Sequence, residues 1–172
     1  IQETNSTDYK LWIGGENNFR YEVDPLYKAN RKDTVKPTWL QDCRERLITT
    51  WLAKITDGNE VDDELGIHQT DNTIICSIDK DLLQVPGWHY NFVKQEKTFI
   101  TVFDGHYNFM CQLIMGDKTD NIMGFDGKAR QKVPQFLERH FDFLACNKNN
   151  YARMLRYIQE LYKDDDRLLK NG

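Results

Sequence analysis

The feature that most constrains this chain is the run Thr73-Ile-Ile-Cys-Ser-Ile78 followed at once by Asp79-Lys-Asp81. An apolar, β-branched run of that length reads as a buried strand. Residues two apart on an extended chain point to one side, so the spacing predicts Asp79 and Asp81 on a common face at the strand's C-terminal end. Open α/β sheets bind ligands at that end. Two further acidic clusters flank this one: Glu60-Val-Asp62-Asp63 and Gly116-Asp117-Lys-Thr-Asp120-Asn121. The acids of the third stand three apart, a spacing that brings both onto one face of a helical turn. With 27 Asp and Glu in the chain, any single cluster is ordinary solvated surface. Three together, one on a strand end and one opening a Gly-containing loop, form a more specific pattern. Crowded carboxylates repel, and a fold keeps them close only where something cationic compensates. Hard oxygen donors without nearby His or Cys select Mg²⁺ or Mn²⁺. The pattern is that of a metal-dependent phosphodiesterase.

At 172 residues, with 40% hydrophobic and 12% aromatic content, the chain suits one domain with a small appended module. No apolar stretch approaches the roughly 18 residues of a membrane span, and no signal peptide is evident. Cys43, Cys76, Cys111 and Cys146 are isolated, a usage that fits a reducing cytoplasm better than a disulfide framework or a zinc site. The segments around them share nothing, which excludes a repeat.

A net charge of −4 is unusual for a nucleic-acid binder, yet two divalent ions would bring it to zero. Positive charge is also clustered: Arg20, then Lys28, Arg31, Lys32 and Lys36, and later Lys128, Arg130 and Lys132. Local potential, not net charge, steers a phosphate backbone. Either basic group alone reads as a solvated face.

The organisation predicted is α/β. Tyr9–Ile13 reads as a strand ending in Gly14-Gly15. Pro37 suits a first helical position, and Trp39, Leu40, Cys43, Leu47, Trp51, Leu52 and Ile55 follow at helical spacing. That spacing assigns Trp39 and Trp51 to the core rather than to base stacking. Asp57-Gly-Asn59 breaks the helix, and Asp62 and Asp63 sit where acids favour a helix N-terminus. His89–Phe92 and Thr98–Val102 read as short strands, with helices at Asp104–Met115, Pro134–Cys146 and Tyr151–Lys170. Gly124 and Gly127 allow backbone to approach a phosphate closely. No EF-hand fits, because neither its central Gly nor its closing Glu falls in register after Asp117. The region resembles a helix-turn-helix whose loop grips a duplex backbone.

The runs Asn18-Phe-Arg20, Tyr27-Lys-Ala-Asn-Arg31, Glu60-Val-Asp-Asp63, Ser77-Ile-Asp-Lys-Asp-Leu82 and Gly116-Asp-Lys-Thr-Asp-Asn-Ile122 together resemble the 5′-nuclease family. That family spans flap endonucleases, the 5′–3′ exonuclease domain of bacterial DNA polymerase I and phage 5′–3′ exonucleases. The phage members are most similar. The resemblance implies an α/β, PIN-like nuclease core over residues 1–115 and a helix-three-turn-helix DNA-binding module over 116–172. It implies Glu60, Asp62, Asp63, Asp79, Asp81, Asp117 and Asp120 as the carboxylates around two or more Mg²⁺ or Mn²⁺ ions. Lys28 and Arg31 would contact the scissile phosphate. Arg20, Lys32 and Lys36 would add to DNA binding, while Gly124, Gly127, Lys128, Arg130 and Lys132 would hold the duplex beyond the cut. The implied substrates are DNA 5′ ends, flaps and nicks, and RNA–DNA hybrids, in replication or repair, in a cytoplasm (the host's, for a phage protein).

Several positions depart from the family pattern. Members normally open with a strand bearing a ligand Asp, and nothing equivalent precedes Gln2-Glu-Thr-Asn5. Many place another Asp where this chain has Gly14-Gly15, with Glu16 beside them, and Gly127-Lys-Ala-Arg130 replaces a Gly-Ile-Gly pattern. An active nuclease and a non-catalytic DNA-end or fork-binding protein with an incomplete metal site both stay open. A Toprim-like enzyme, which also pairs a Glu with a later Asp-x-Asp, is excluded by the Asp117–Asp120 cluster and the Tyr27–Arg31 run.

Overall fold

The computed structural model describes residues 1–124, 133, 135, 137 and 148–162. Two small sheets carry the N-terminal part. Strand β1 (Trp12–Ile13) pairs in parallel with β2 (Lys54–Ile55). Thr56 N–H donates to the Ile13 carbonyl at 3.0 Å, extending the ladder by one residue. Strands β3 (Ile74–Cys76), β4 (Gly87–Asn91) and β5 (Glu96–Ile100) form the second sheet, β3 parallel to β4 and β4 antiparallel to β5. The β4–β5 turn is closed by Asn91, whose side-chain oxygen accepts from the backbone N–H of Val93 and Lys94. The strands expected at Tyr9–Ile13, Thr73–Ile78, His89–Phe92 and Thr98–Val102 are therefore present, shortened or shifted by a few residues.

Helix α4 (Val102–Met115) starts from Thr101, whose hydroxyl and backbone trade hydrogen bonds with Asp104 in a capping box. It is the spine of the main apolar cluster. Met110, Leu113 and Ile114 bury fully against Val133, Leu137 and the Met154, Ile158 and Tyr162 stripe carried by and just beyond α5 (Lys148–Leu161). The Tyr162 hydroxyl donates to the Leu113 carbonyl at 2.9 Å, so the stripe is pinned by a satisfied polar contact as well as by area. Each such apolar side chain contributes about 1.5–3 kcal/mol on burial. The other side of α4 positions the acidic turn: Asn108 donates to the Leu83 carbonyl at 2.8 Å, and the neighbouring Leu82 is buried in the 3₁₀ turn Asp81–Gln84. Most of the helix expected over 134–146 lies outside the described residues; Gln135 and Leu137 are helical.

Helix α2 (Leu40–Trp51) overturns one expectation. None of its residues is buried, and Trp39, Trp51 and Leu52 are 71, 50 and 78% exposed. Helical spacing shows which side chains share a stripe; it does not supply anything to cover the stripe. Only Leu47 and Ile48 are half-buried among the described residues of this helix's apolar set. The helix also ends earlier than expected, because Leu52 adopts a left-handed conformation (φ 55°) and turns the chain into β2, placing Ile55 in a strand. Short helices complete the described part: α1 (Arg20–Val23), a 3₁₀ turn at Ala29–Arg31, and α3 (Val61–Ile67).

Candidate active site

Glu60 caps α3, and the cap is reciprocal: its side chain accepts from the backbone of Asp63, whose carboxylate accepts from Glu60 N–H at 2.8 Å. That geometry fixes the first acidic cluster at a helix start, where carboxylates are favoured by the helix dipole. Asp63 then turns to Arg20, which grips it with two nitrogens at 2.7 and 2.9 Å. The guanidinium holds the Asp63 carboxyl below its ordinary range. Each group satisfies the other, so Arg20, expected to meet DNA, is engaged here by Asp63.

The second cluster differs from its expected geometry. The β3 strand stops at Cys76, and Asp79 and Asp81 share a turn rather than the face of an extended strand. Asp79 N–H bonds the Ser77 hydroxyl, and the Asp79 carboxylate accepts from Asp81 N–H, both at 3.0 Å. Short polar side chains that bond their own backbone two residues on favour such turns over strand. The third cluster also forms a turn instead of a helical face. Gly116 (φ 64°) and Gly124 approach so closely that a Cβ on either would strike backbone of the other end of the loop. Within this loop Asp117 accepts from Thr119 N–H at 2.7 Å.

The three clusters nevertheless meet. Burial raises the Asp62 pKa to about 6, with the charges of Asp79 and Glu60 adding to the rise. Asp81 is raised by burial and then by Asp79 and Asp117. Asp117 thus faces Asp81, whereas Asp120 faces the segment Tyr27–Arg31. Lys28 Nζ sits 2.5 Å from Glu60 and 3.6 Å from Asp120, and Arg31 reaches Asp120 at 2.6 Å. Backbone bonds lock this juxtaposition: Lys28 N–H donates to the Asp120 carbonyl, and Arg31 Nε to the Thr119 carbonyl. Lys32 and Lys36 are exposed beyond the turn. Gly127, Lys128, Arg130 and Lys132 lie outside the described residues.

Tyr27 belongs to the site and sequence patterning alone gave it no role. It is 4% exposed, and its hydroxyl lies 3.0 Å from Glu60 Oε2 and 2.8 Å from Asp120 Oδ2. With one proton it can serve one carboxylate at a time. Burial, and then the bond to Asp120, push its pKa far above the ordinary value. Asn18 completes the surround, donating to Glu60 Oε1 at 2.7 Å. A tyrosine inside a Lys- and Arg-rich run was the available signal for the first, and membership of the Asn18-Phe-Arg20 run was the signal for the second.

The donor set is carboxylate throughout, and the Lys28 ammonium already pairs with two of its members, as a bound cation would. That chemistry fits a hard divalent ion. Among the described residues, however, no three His, Cys, Asp or Glu side chains are gathered tightly enough to hold one. An open cleft of about 290 Å³ adjoins the site, lined by Gly14, Gly15, Glu16, Lys28, Glu60 and Asp62 among others. At Gly15 a Cβ would run into the Thr56 carbonyl oxygen, so the glycine is demanded by the close approach of β1 and β2.

No protein-family model matches the chain, and no curated protein matches it by sequence. Solved structures do match. A bacteriophage T5 protein co-crystallised with metal ions superposes with a TM-score of 0.67 at 18% identity, over 99% of this chain and 76% of that one. The T5 flap endonuclease in a pseudo-enzyme–product complex with DNA and metal ions gives 0.65 at 19% identity, with the same coverage. T5 5′-exonuclease with bound zinc gives 0.62 at 20% identity, covering 99% of this chain and 75% of that one. Among the described residues no helix is long and apolar enough to cross a membrane. The chain has the mixed α/β fold of the phage T5 5′-nucleases.

Proposed function

We propose that this chain is a divalent-metal-dependent 5′-nuclease of the phage type, hydrolysing phosphodiester bonds near DNA 5′ ends, flaps and nicks, including those of RNA–DNA hybrids. The observation that carries the reading is the meeting of three acidic clusters, far apart in sequence, beside Lys28 and Arg31. Glu60, Asp62, Asp79, Asp81, Asp117 and Asp120 would hold the ions, Mg²⁺ or Mn²⁺. Asp63 would serve them indirectly, by fixing the α3 start through Arg20. A divalent cation there supplies Lewis-acid stabilisation of phosphoryl charge and a lowered pKa for the attacking water. The chain's own contribution is positioning and charge. Lys28 and Arg31 neutralise negative charge on the phosphoryl oxygens as the P–O3′ bond breaks. Tyr27 and Asn18 orient Glu60, and Tyr27 also orients Asp120. Contacts of this kind read backbone rather than base sequence and weaken steeply with salt. The residues from 116 onward would form the helix-three-turn-helix module, with Gly124, Gly127, Lys128, Arg130 and Lys132 on the duplex backbone. Cytoplasmic action in replication or repair follows from the same reading.

The test uses labelled 5′-flap and nicked duplexes with Mg²⁺ or with EDTA. Metal-dependent cutting is expected, and Asp79→Asn should abolish it while folding and DNA affinity in chelator stay near wild type. Cutting by Asp79→Asn at the wild-type rate would refute the assignment. A second reading, a non-catalytic DNA-end or fork-binding protein, is favoured by one observation: no triad of acids closes among the described residues. DNA binding without cutting in any divalent metal would select it.

A further inference from the structure

We infer that Lys28 is the resident counter-cation of the acidic cluster, and that a divalent ion enters by displacing it from Glu60 and Asp120. Filling the site would then release Lys28 and Arg31 toward substrate phosphate. The inference rests on the metal-dependent reading above and adds an order of events to it.

The Lys28 ammonium lies 2.5 Å from Glu60 and 3.6 Å from Asp120, and its side chain is only 20% exposed. A dehydrated divalent ion bridging those carboxylates would need the same volume, since their oxygens already converge on Nζ. Addition beside Lys28 would set two cations against each other at short range, while exchange leaves the carboxylates compensated throughout. Arg31 is placed to follow, because its contact with Asp120 draws on the same carboxylate. Once a +2 ion occupies the cluster, both side chains are repelled from it and drawn to an incoming phosphate.

The backbone is arranged for such a move. Lys28 adopts a left-handed conformation (φ 52°), which disfavours a residue with a Cβ. Its N–H bond to the Asp120 carbonyl at 2.9 Å and its ion pairs hold it there. Residues in sparsely populated conformations persist only while their surroundings fix them. Removing the ion pairs with metal withdraws part of that support.

The test measures Mn²⁺ binding to the metal-stripped full chain by calorimetry, with no nucleic acid present. Lys28→Met removes the ammonium and keeps most of the stem; it should bind Mn²⁺ about 3- to 10-fold more tightly than wild type. Lys32→Met deletes the same charge from an exposed neighbour and should stay within about 2-fold, because solvent screens it. Amine-reactive labelling of the wild-type protein, read by mass spectrometry, should show Lys28 becoming more reactive as Mn²⁺ is added. This arm stands even if Lys28→Met fails to fold. Equal or weaker Mn²⁺ binding by Lys28→Met, an equal gain from Lys32→Met, or unchanged Lys28 labelling at saturating Mn²⁺ would each overturn the exchange while leaving the nuclease reading intact. Failure of the wild-type protein to take up Mn²⁺ at millimolar concentration would overturn both, and so separates the two.

Discussion

Arg20 and Asp63 form the contact whose removal most directly tests how the site is supported. A fully exposed ion pair is worth about 0.2–1 kcal/mol. This one is a two-nitrogen fork at 2.7 and 2.9 Å, with side chains only 29 and 25% exposed, and Asp63 also closes the α3 cap. Fork geometry strengthens a charge-assisted bond, and losing a helix cap alone costs about 0.5–2 kcal/mol. Arg20→Ala and Asp63→Asn should therefore each lower unfolding free energy by about 2 kcal/mol. The double variant should fall short of the sum by about 1.5 kcal/mol, the coupling of the pair. Urea unfolding of the four proteins at neutral pH measures it. The sign with pH follows from Asp63, whose carboxyl is held below its ordinary value of 3.8 by the Arg20 bond first. A proton binds the folded state less readily than the unfolded one, so the contribution is present above 3.8 and is lost as the pH falls through the lowered folded value. Wild type and Asp63→Asn should converge in stability at acid pH. Coupling below about 0.3 kcal/mol, with Arg20→Ala weakening DNA binding instead, would refute the pair's supporting role and restore Arg20 to the nucleic-acid surface.

Two other outcomes follow from the same geometry. Asp62, raised from 3.8 to about 6 by burial and then by Asp79 and Glu60, binds its proton more tightly in the folded state. Its ionised form therefore costs stability above about pH 6, and the cost is relieved as the pH falls from 6 toward 4. Allowing for the half-exposed site, Asp62→Asn should stabilise the metal-free protein by about 1–2 kcal/mol near pH 8 and by little near pH 4. Thermal unfolding in EDTA that shows the same difference at both pH values would contradict this. Gly15→Asp, which supplies the carboxylate many 5′-nucleases carry after this strand, should destabilise the chain by about 1–3 kcal/mol through collision with the Thr56 carbonyl and should leave Mn²⁺ affinity no tighter. Calorimetry and urea unfolding check both halves, and a stable variant with tighter binding would show that β1 and β2 can part to admit a side chain.

Elements specified by short-range chemistry were legible before any coordinates. The β-branched run before Asp79, the Asp104 end of α4 and the acids opening α3 each carry their instructions within a few residues, through side-chain branching, capping and turn formation. Legibility ended where a statement depended on what a surface meets. The stripe through Trp39, Leu47 and Trp51 is correctly periodic, yet most of it lies open to solvent. Asp79 and Asp81 were expected to share a face because the strand was extended too far; the bond from Asp81 N–H to the Asp79 carboxylate shows local turn chemistry prevailing over strand alternation.

The candidate site divides along the same line, for a reason rooted in charge. A cluster of like charges is visible in a sequence because its members are adjacent and must be compensated somewhere. The compensating partner need not be adjacent to anything: Arg31 meets Asp120 across 89 positions, and Lys28 meets Glu60 across 32. The acids thus stand out as a set, whereas family likeness alone points their basic partners toward phosphate. Both assignments can hold for one residue, since an ammonium that neutralises carboxylates in one state can neutralise a phosphate in another. The requirement is that something of higher charge takes its place among the acids, and a carboxylate-only donor set is chemically suited to accept it.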